Sequence, residues 1–596
     1  MPETSTFKPL SGNVPVDTPI VPGEYQNTGM DRWVYAKRAS ALRNESMLWT
    51  PTWRELSQYE NPTRGFFYET RPNVGKKIDH TVLINSCAED DFDTLSAGML
   101  SGLTSPSRPW VRPELDTDDK DLMEYSPVKE WLDKLQKWLL DTYAKSNVYG
   151  SLSSIYSELG TFGTSCSFLQ EDYKDVIRLR VYTIGEYSIG NGPDGRANAF
   201  YHRFWMTTAQ MVKEFGIENC SPQVVASYRN NAPDQWRVVN HLVEENDDRI
   251  IPYVDYRHMA HRSIYWEDGA MADCYLRLGG YEEFPLLCPR WATTTTADSY
   301  GKGPGWKMLG DVKMLQRLEK DELIAISKVA RPPVQVDASV QGEVNMAADG
   351  VTRFSALLPN AGVKPAYQVN PDIAAIDAKI AKVEGRIHKK SFAELFLMLI
   401  DAERTGRNVT ATEIMEKQSE KMSVLGPVLE RTESELLNPM NDRTIEIGFR
   451  NGVAPLPPLE VQKLIGGMKI KFRYISVLAQ AQRMAGITAI EQWRQGVESS
   501  VEINPECIDI INYDELNADK GEMLGVPAKG VNDPGTIAMK RKARADAQAK
   551  AAQAQAALNA SNVAKNAGSA IGSVAGAAEN PALSSILSGI TGKVSP

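Results

Sequence analysis

A chain of 596 residues, 42% hydrophobic and 24% charged, has the composition of a soluble globular protein with several cores, and disorder over most of its length is excluded. Its formal net charge of −10 argues against a protein that wraps DNA tightly, since such binding needs Lys and Arg to displace condensed counterions; a protein past which DNA slides stays open. The charge is uneven, because residues 540–596 hold seven basic and two acidic side chains, a net of +5 that leaves −15 on the rest.

Six cysteines (Cys87, Cys166, Cys220, Cys274, Cys288 and Cys507) are scattered without a close pair, so neither a disulfide framework nor a zinc site is expected. The opening MPETSTFKPLSGNVP has no charged-then-apolar leader. No apolar run approaches the roughly 18 residues that span a bilayer. The expectation is a protein that is soluble when made and does not enter a membrane.

In chain order, residues 1–30 are rich in Pro, Thr and Gly and read as a flexible arm. Residues 31–300 read as α+β. Helical patterns alternate with aromatic loops to residue 108, and short alternating strands, such as 178–182 and 263–266, follow between 178 and 291. The breaker GKGPG at 301–305 opens the most legible segment, 301–330. There Met308, Val312, Leu315, Leu318, Glu322, Ile326 and Val329 recur at spacings of three and four. That spacing predicts an amphipathic helix of about 22 residues, roughly 33 Å long, stopped by Pro332 and Pro333, which lack an amide hydrogen. Residues 331–370 change to short β-like runs with a tight turn at Asp349-Gly350.

A second helix is expected over 371–397, with Asn370 as N-cap, Pro371 at the first position and Asp372 in the first turn. Ile376, Ile380, Val383 and Ile387 form its apolar stripe. A Gly- and Arg-bearing break covers 398–409. Over 410–450 a third helix opens on a capping box, Thr410 with Glu413. It carries Met415, Met422, Leu425, Leu429 and Leu436 on one face towards Leu437, with a kink at Gly426-Pro427. Residues 451–533 hold more helix, chiefly 470–496. Over 534–596 the composition collapses to Ala, Gln, Asn, Ser and Gly, which suits either a helix needing partners or disorder.

Enzyme motifs are missing. Gly75-Lys76 is followed by Lys77 where a phosphate loop needs Ser or Thr, and GKGPGWK has the right letters in the wrong order, so it reads as a helix start. His258 and His261 stand three apart, which on a strand sends them to opposite faces, and no further ligand lies at a recognisable spacing. No nucleophile elbow or catalytic Cys motif occurs. Acid pairs such as Glu244-Glu245 and Asp118-Asp119 read as surface carboxylates. The expectation is a non-enzyme with no cofactor and no metal.

LSAGMLSGLTSPSRPWVRPEL at 95–115 resembles the head-to-tail connecting (portal) proteins of short-tailed, podovirus-type bacteriophages, which carry a similar signature early in the chain. GKGPGWKMLGDVKMLQRLEK at 301–320, running on to RPP at 331–333, is similar to that family's first stem helix entering its clip. RNVTATEIMEK (407–417), GVAPLPP (452–458) and RYISVLAQAQR (473–483) continue the pattern in order, so the resemblance covers roughly 31–527. The resemblance implies a dodecameric ring at one capsid vertex, with a wing at 31–300, stem helices at 301–330 and 371–397, and a clip at 331–370. It further implies a tunnel loop at 398–409, a kinked helix returning to the wing at 410–450, a crown at 451–533 and a tail at 534–596. Double-stranded DNA would pass without sequence specificity, and the implied partners are large terminase, major capsid and scaffolding proteins, and tail adaptor or nozzle proteins. The implied place is the virion head–tail junction. The competing reading is another multimeric virion protein, such as a tail adaptor, with no DNA passage.

Within that frame, Lys379, Lys382, Arg386 and Lys389 recur at three, four and three, one face of the second stem helix. Ring symmetry would turn each into a belt of positive charge able to meet phosphates in any register. Lys313, Arg317 and Lys320 make a similar face on the first stem helix, and Arg404 and Arg407 mark the tunnel loop as a DNA contact. Solvated faces and salt bridges to a neighbouring helix are the competing readings. Val334, Val336, Phe354 and Tyr367 are candidates for strand pairing between adjacent clips, or for a small core within one clip.

Overall fold

The computed structural model describes residues 32–67, 83–117, 122, 125–249, 258–270, 275–336, 343–344, 363–365, 371–397, 425–459, 461–462, 469–475, 490, 493–499, 511–513, 515–517, 520 and 534–578. They fall into two units, 1–524 and 525–596. The first is mixed α+β, mostly helical with small antiparallel sheets.

Helices α1 (Arg32–Tyr59) and α2 (Cys87–Leu103) come first, then strand β1 (Val111–Leu115) and helices α3 (Ser126–Lys145) and α4 (Val148–Phe162). In α3, Val128, Trp131, Leu132, Leu135 and Leu139 recur at helical spacing and are all buried, while Pro127 sits in the first turn, where its missing amide costs nothing. Strands β2 (Cys166–Asp172), β3 (Val176–Tyr182), β4 (Tyr187–Asn191) and β5 (Ala197–Thr207) follow. Short helices α5 (Thr208–Phe215) and α6 (Pro222–Arg229) lead to β6 (Trp236–Glu245), β7 (His261–Glu267), β8 (Arg277–Tyr281) and β9 (Leu286–Leu287). Strands β4-β5-β6-β7-β8 form an antiparallel meander in that order, and β3-β2-β9 form a second sheet. In the meander, His202 pairs across to His241, and His241 to Tyr265. Both histidines are buried; burial holds His202 down to about 3 and lowers His241 well below its ordinary value, so both are neutral core residues.

The long helix α7 spans Pro304–Ala330, longer than the apolar repeat predicts because Pro304 already occupies its first turn. A short ribbon, β10 (Val334–Val336) with β11 (Val363–Pro365), leads to α8 (Ile373–Lys390). Its cap is Asp372, whose side chain accepts from the Ala375 amide, two residues beyond the expected Asn370. It also ends earlier than expected. Ser391 closes it, and Phe392 adopts φ 64° before a last turn over 393–397, a break that no Gly or Pro announces.

Residues 425–450 are continuous helix, ending in α9 (Asn438–Arg450), with a π-helical stretch at Glu433–Leu437. The wide turn presents Glu435 to the buried Arg290, whose backbone amide donates at 2.9 Å and whose guanidinium donates at 2.5 Å to the other oxygen. Strand β12 (Ile470–Tyr474) pairs antiparallel with β1, bringing two segments of the resemblance together. Trp110 of the LTSPSRPW signature is stacked at their junction on Tyr143 and Tyr474, with ring centroids 5.9 and 6.3 Å apart. The principal core draws on α2, α3, α4, α7, α8 and α9 together. Asp349-Gly350, the Thr410–Glu413 box and the start of the third helix lie outside the described residues.

The second unit contains α10 (Pro534–Ala578), a helix of 45 residues whose side chains are exposed from Ala538 to Asn566.

Candidate functional site

Helices α7 and α8, where the sequence places the two stem helices, pack side by side. Lys390 reaches the Lys307 carbonyl and Asp311, Arg386 reaches Asp311, and the Asn85 side chain bridges Glu319 and Glu384, so numbering falls along one helix as it rises along the other. The pair is antiparallel.

The inner end of α7 is locked by backbone contact. A methyl group at Gly303 would lie 2.5 Å from the Gly160 carbonyl oxygen, and one at Gly301 would lie 2.5 Å from that of Gly163. GKGPG therefore exists to let α7 start against the end of α4, and its glycines cradle backbone, not phosphate. Trp306 donates from Nε1 to the Phe162 carbonyl at 2.8 Å. Beneath this start lies Glu60, fully buried with neither carboxylate oxygen hydrogen-bonded; burial pushes its acid well above the ordinary range. Further along, the Gln316 side chain accepts from the Ile84 and Asn85 amides and donates to the Asn85 carbonyl. Met308, Val312 and Leu315 face the core.

Beyond Leu318, which packs at the core's edge, and Glu319, which accepts from the Asn85 side chain, the helix is bare. Leu323, Ile324, Ile326 and Val329 are 55%, 42%, 42% and 52% exposed, although Ile326 and Val329 continue the apolar repeat. On α8, Ile380, Val383 and Ile387 of the expected stripe are buried and Ile376 packs at the core's edge.

The basic face divides. Lys379, Lys382 and Lys389, with Lys320 on α7, are exposed and make no ion pair among the described residues. Arg386 does not stand free with them: its guanidinium pairs with Asp311 at 2.9 Å, and Lys390 takes the other Asp311 oxygen at 2.6 Å. Asp311 is thus the pin between the two helices, a role that sequence reasoning missed. Lys313 pairs with Glu55 of α1 at 2.9 Å and lies over the Tyr59 ring. Arg317 pairs with Asp321 one turn on, at 3.0 Å, both well exposed. Glu322 and Asp377 share a hydrogen bond that raises the Glu322 acid, so acid sits between the exposed lysines. In the ribbon, Val334 is half-buried and Val336 is exposed. Arg404, Arg407, Phe354 and Tyr367 lie outside the described residues.

Among the described residues His258 and His261 belong to no group able to hold a metal; His261 opens β7 and packs on Phe284. The one group among the described residues able to hold a metal is instead Cys87, Asp91 and His388, where α2 meets α8. Nothing in the residue spacing announced it. No helix of the described residues is long and apolar enough to cross a membrane.

Comparison with known proteins gives a consistent result. The family described as bacteriophage head to tail connecting protein matches residues 34–531. A probable portal protein of Bordetella phage BPP-1 is 37% identical over 530 residues, 89% of this chain and 94% of the relative. The portal protein of Salmonella phage epsilon15 is 36% identical over 521 residues, 87% and 92% of the two chains. A solved chain from the neck of an empty GTA particle, computed with C6 symmetry, is 13% identical with a TM-score of 0.31, covering 70% of this chain and 92% of that one.

Proposed function

Because this chain belongs to the bacteriophage head-to-tail connecting family, the portal proteins of the virion's head–tail junction, we propose that it forms a dodecameric ring whose stem is a passive conduit for double-stranded DNA. The family is structural and not enzymatic. The ring would admit the genome during packaging and release it on ejection. Large terminase and later tail adaptor or nozzle proteins would dock at the clip, and the major capsid and scaffolding proteins would hold the wing.

The observation that carries this reading is the stem's outer half. It sets an uncovered apolar patch, Leu323, Ile324, Ile326 and Val329, beside exposed lysines at 320, 379 and 382 that make no ion pair among the described residues. A ring covers the first by packing neighbouring stems and repeats the second around an axis. The acids among the lysines, and the net −10 of the chain, keep DNA from sticking, since affinity grows with each phosphate neutralised.

The test is a Lys379→Gln, Lys382→Gln double variant. Gln preserves helix propensity closely, and neither lysine holds the helices together. Intact rings with altered DNA packaged per procapsid support the conduit. Intact rings with unaltered packaging would mean that this face meets only water, and broken rings would assign it to subunit contacts.

A further inference from the structure

The wing and the stem meet at a cluster that the conduit does not need. Cys87 occupies the first turn of α2 and His388 the last turn of α8. Asp91, almost fully buried one turn after Cys87, accepts from His388 Nδ1 at 2.6 Å and from Ser391 Oγ at 2.6 Å through its two oxygens. That fixes the imidazole ring and turns Nε2 towards the Cys87 sulfur, 4.0 Å away. Glu384, one helical turn before His388, accepts from the Asn85 side chain, whose own oxygen caps the Cys87 amide.

We infer that Cys87 and His388 bind a borderline-soft divalent cation, zinc above all, with Asp91 orienting the imidazole. The chemistry is specific on three counts. Thiolate and imidazole together suit zinc, with bonds of about 2.3 and 2.0 Å. At a tetrahedral angle such bonds place sulfur and nitrogen about 3.5 Å apart, so the observed separation needs only a small contraction. A carboxylate on the far nitrogen of a ligating histidine is the usual support of such a site.

The carboxylates of Asp91, Glu384 and Asp90 around Cys87 favour a cation, whose binding displaces the thiol proton to solvent, so affinity rises with pH. The cation would tie α2 to α8 at the wing–stem junction, independently of what passes through the ring.

The experiment uses the full-length chain, stripped with chelator and titrated with Co²⁺ as a coloured probe, then with Zn²⁺ in competition. The expected result is one Co²⁺ per chain, a thiolate-to-cobalt charge-transfer band, and its loss on adding Zn²⁺. Zinc should also shield one thiol, identified as Cys87 by mass spectrometry, from alkylation. Cys87→Ser and His388→Gln should abolish the band. Asp91→Asn should weaken binding by about 10–100-fold, and Cys220→Ser should change nothing. Absence of the band in the wild-type chain, or its persistence in Cys87→Ser, would overturn the assignment. If the substituted chains fail to fold, the wild-type band and the identity of the shielded thiol decide it.

Discussion

The two halves of α7 share one sequence pattern and live in different surroundings. From Pro304 to Gln316 the helix is gripped on every apolar position, by the glycine contacts with α4, by Trp306 and by Gln316 on the chain at Ile84 and Asn85. From Lys320 to Ala330 the repeat continues, yet Ile326 and Val329, with Leu323 beside them, meet no core. A repeat that outlasts its own core points to a surface completed by something outside the subunit.

Substitutions sharpen the contrast. Met308→Ala, at a fully buried inner position, should cost about 2–5 kcal/mol, whereas Ile326→Ala should change the stability of the isolated subunit by no more than about 0.5 kcal/mol. Chemical denaturation of both variants checks the pair, and equal losses would erase the distinction. Gly303→Ala should cost about 1–3 kcal/mol, because only backbone could give way. Gly310→Ala, with open space around it, should gain roughly 0.5–1 kcal/mol from helix propensity.

Acid should separate the five-stranded sheet from the α7–α8 pair. His202 and His241 have folded values below their ordinary 6.5, so the native state binds fewer protons than the unfolded chain as pH falls below that point. Their contribution is present above pH 6.5 and is lost towards about 3, at up to about 1.4 kcal/mol per pH unit for each group. Glu158, raised by burial to about 7, works in the opposite direction; its contribution is present below its unfolded 4.5 and is lost as pH rises through 7. Melting temperature should therefore change little between pH 6.5 and 4.5, where the buried acids Glu60 and Glu158 offset the histidines, and fall below pH 4.5, and His202→Phe should flatten that fall. A smaller effect is expected at the stem pin. Asp311→Asn leaves Arg386 and Lys390, both nearly half exposed, and should cost about 1 kcal/mol.

Much of this was legible in the residues. Helices α7 and α8 followed from apolar spacing and from GKGPG and RPP punctuation, because each buries one face, and the β-rich stretch between 178 and 291 followed from alternation. The end of α8 was not legible, since Phe392 takes a left-handed backbone conformation where the chain turns to seat Phe396 against Gly98. That close approach also explains one glycine of the LSAGML signature. The basic face was legible as a face, but which cations are free was not. Asp311 lies on another helix, and nothing local says that it takes Arg386 and Lys390 and leaves Lys382. The Cys87–His388 pair lies 301 positions apart and exists only in three dimensions.

On the proposed reading, neighbouring subunits cover the exposed end of α7 around a channel. Electron microscopy of the purified chain, without nucleic acid, tests it most directly. Closed rings with a central hole, in which Leu323 and Ile326 are packed between subunits and Lys379 and Lys382 face the opening, are the predicted result. A stable monomer at micromolar concentration and moderate salt, or rings that leave those apolar side chains in solvent, would contradict it.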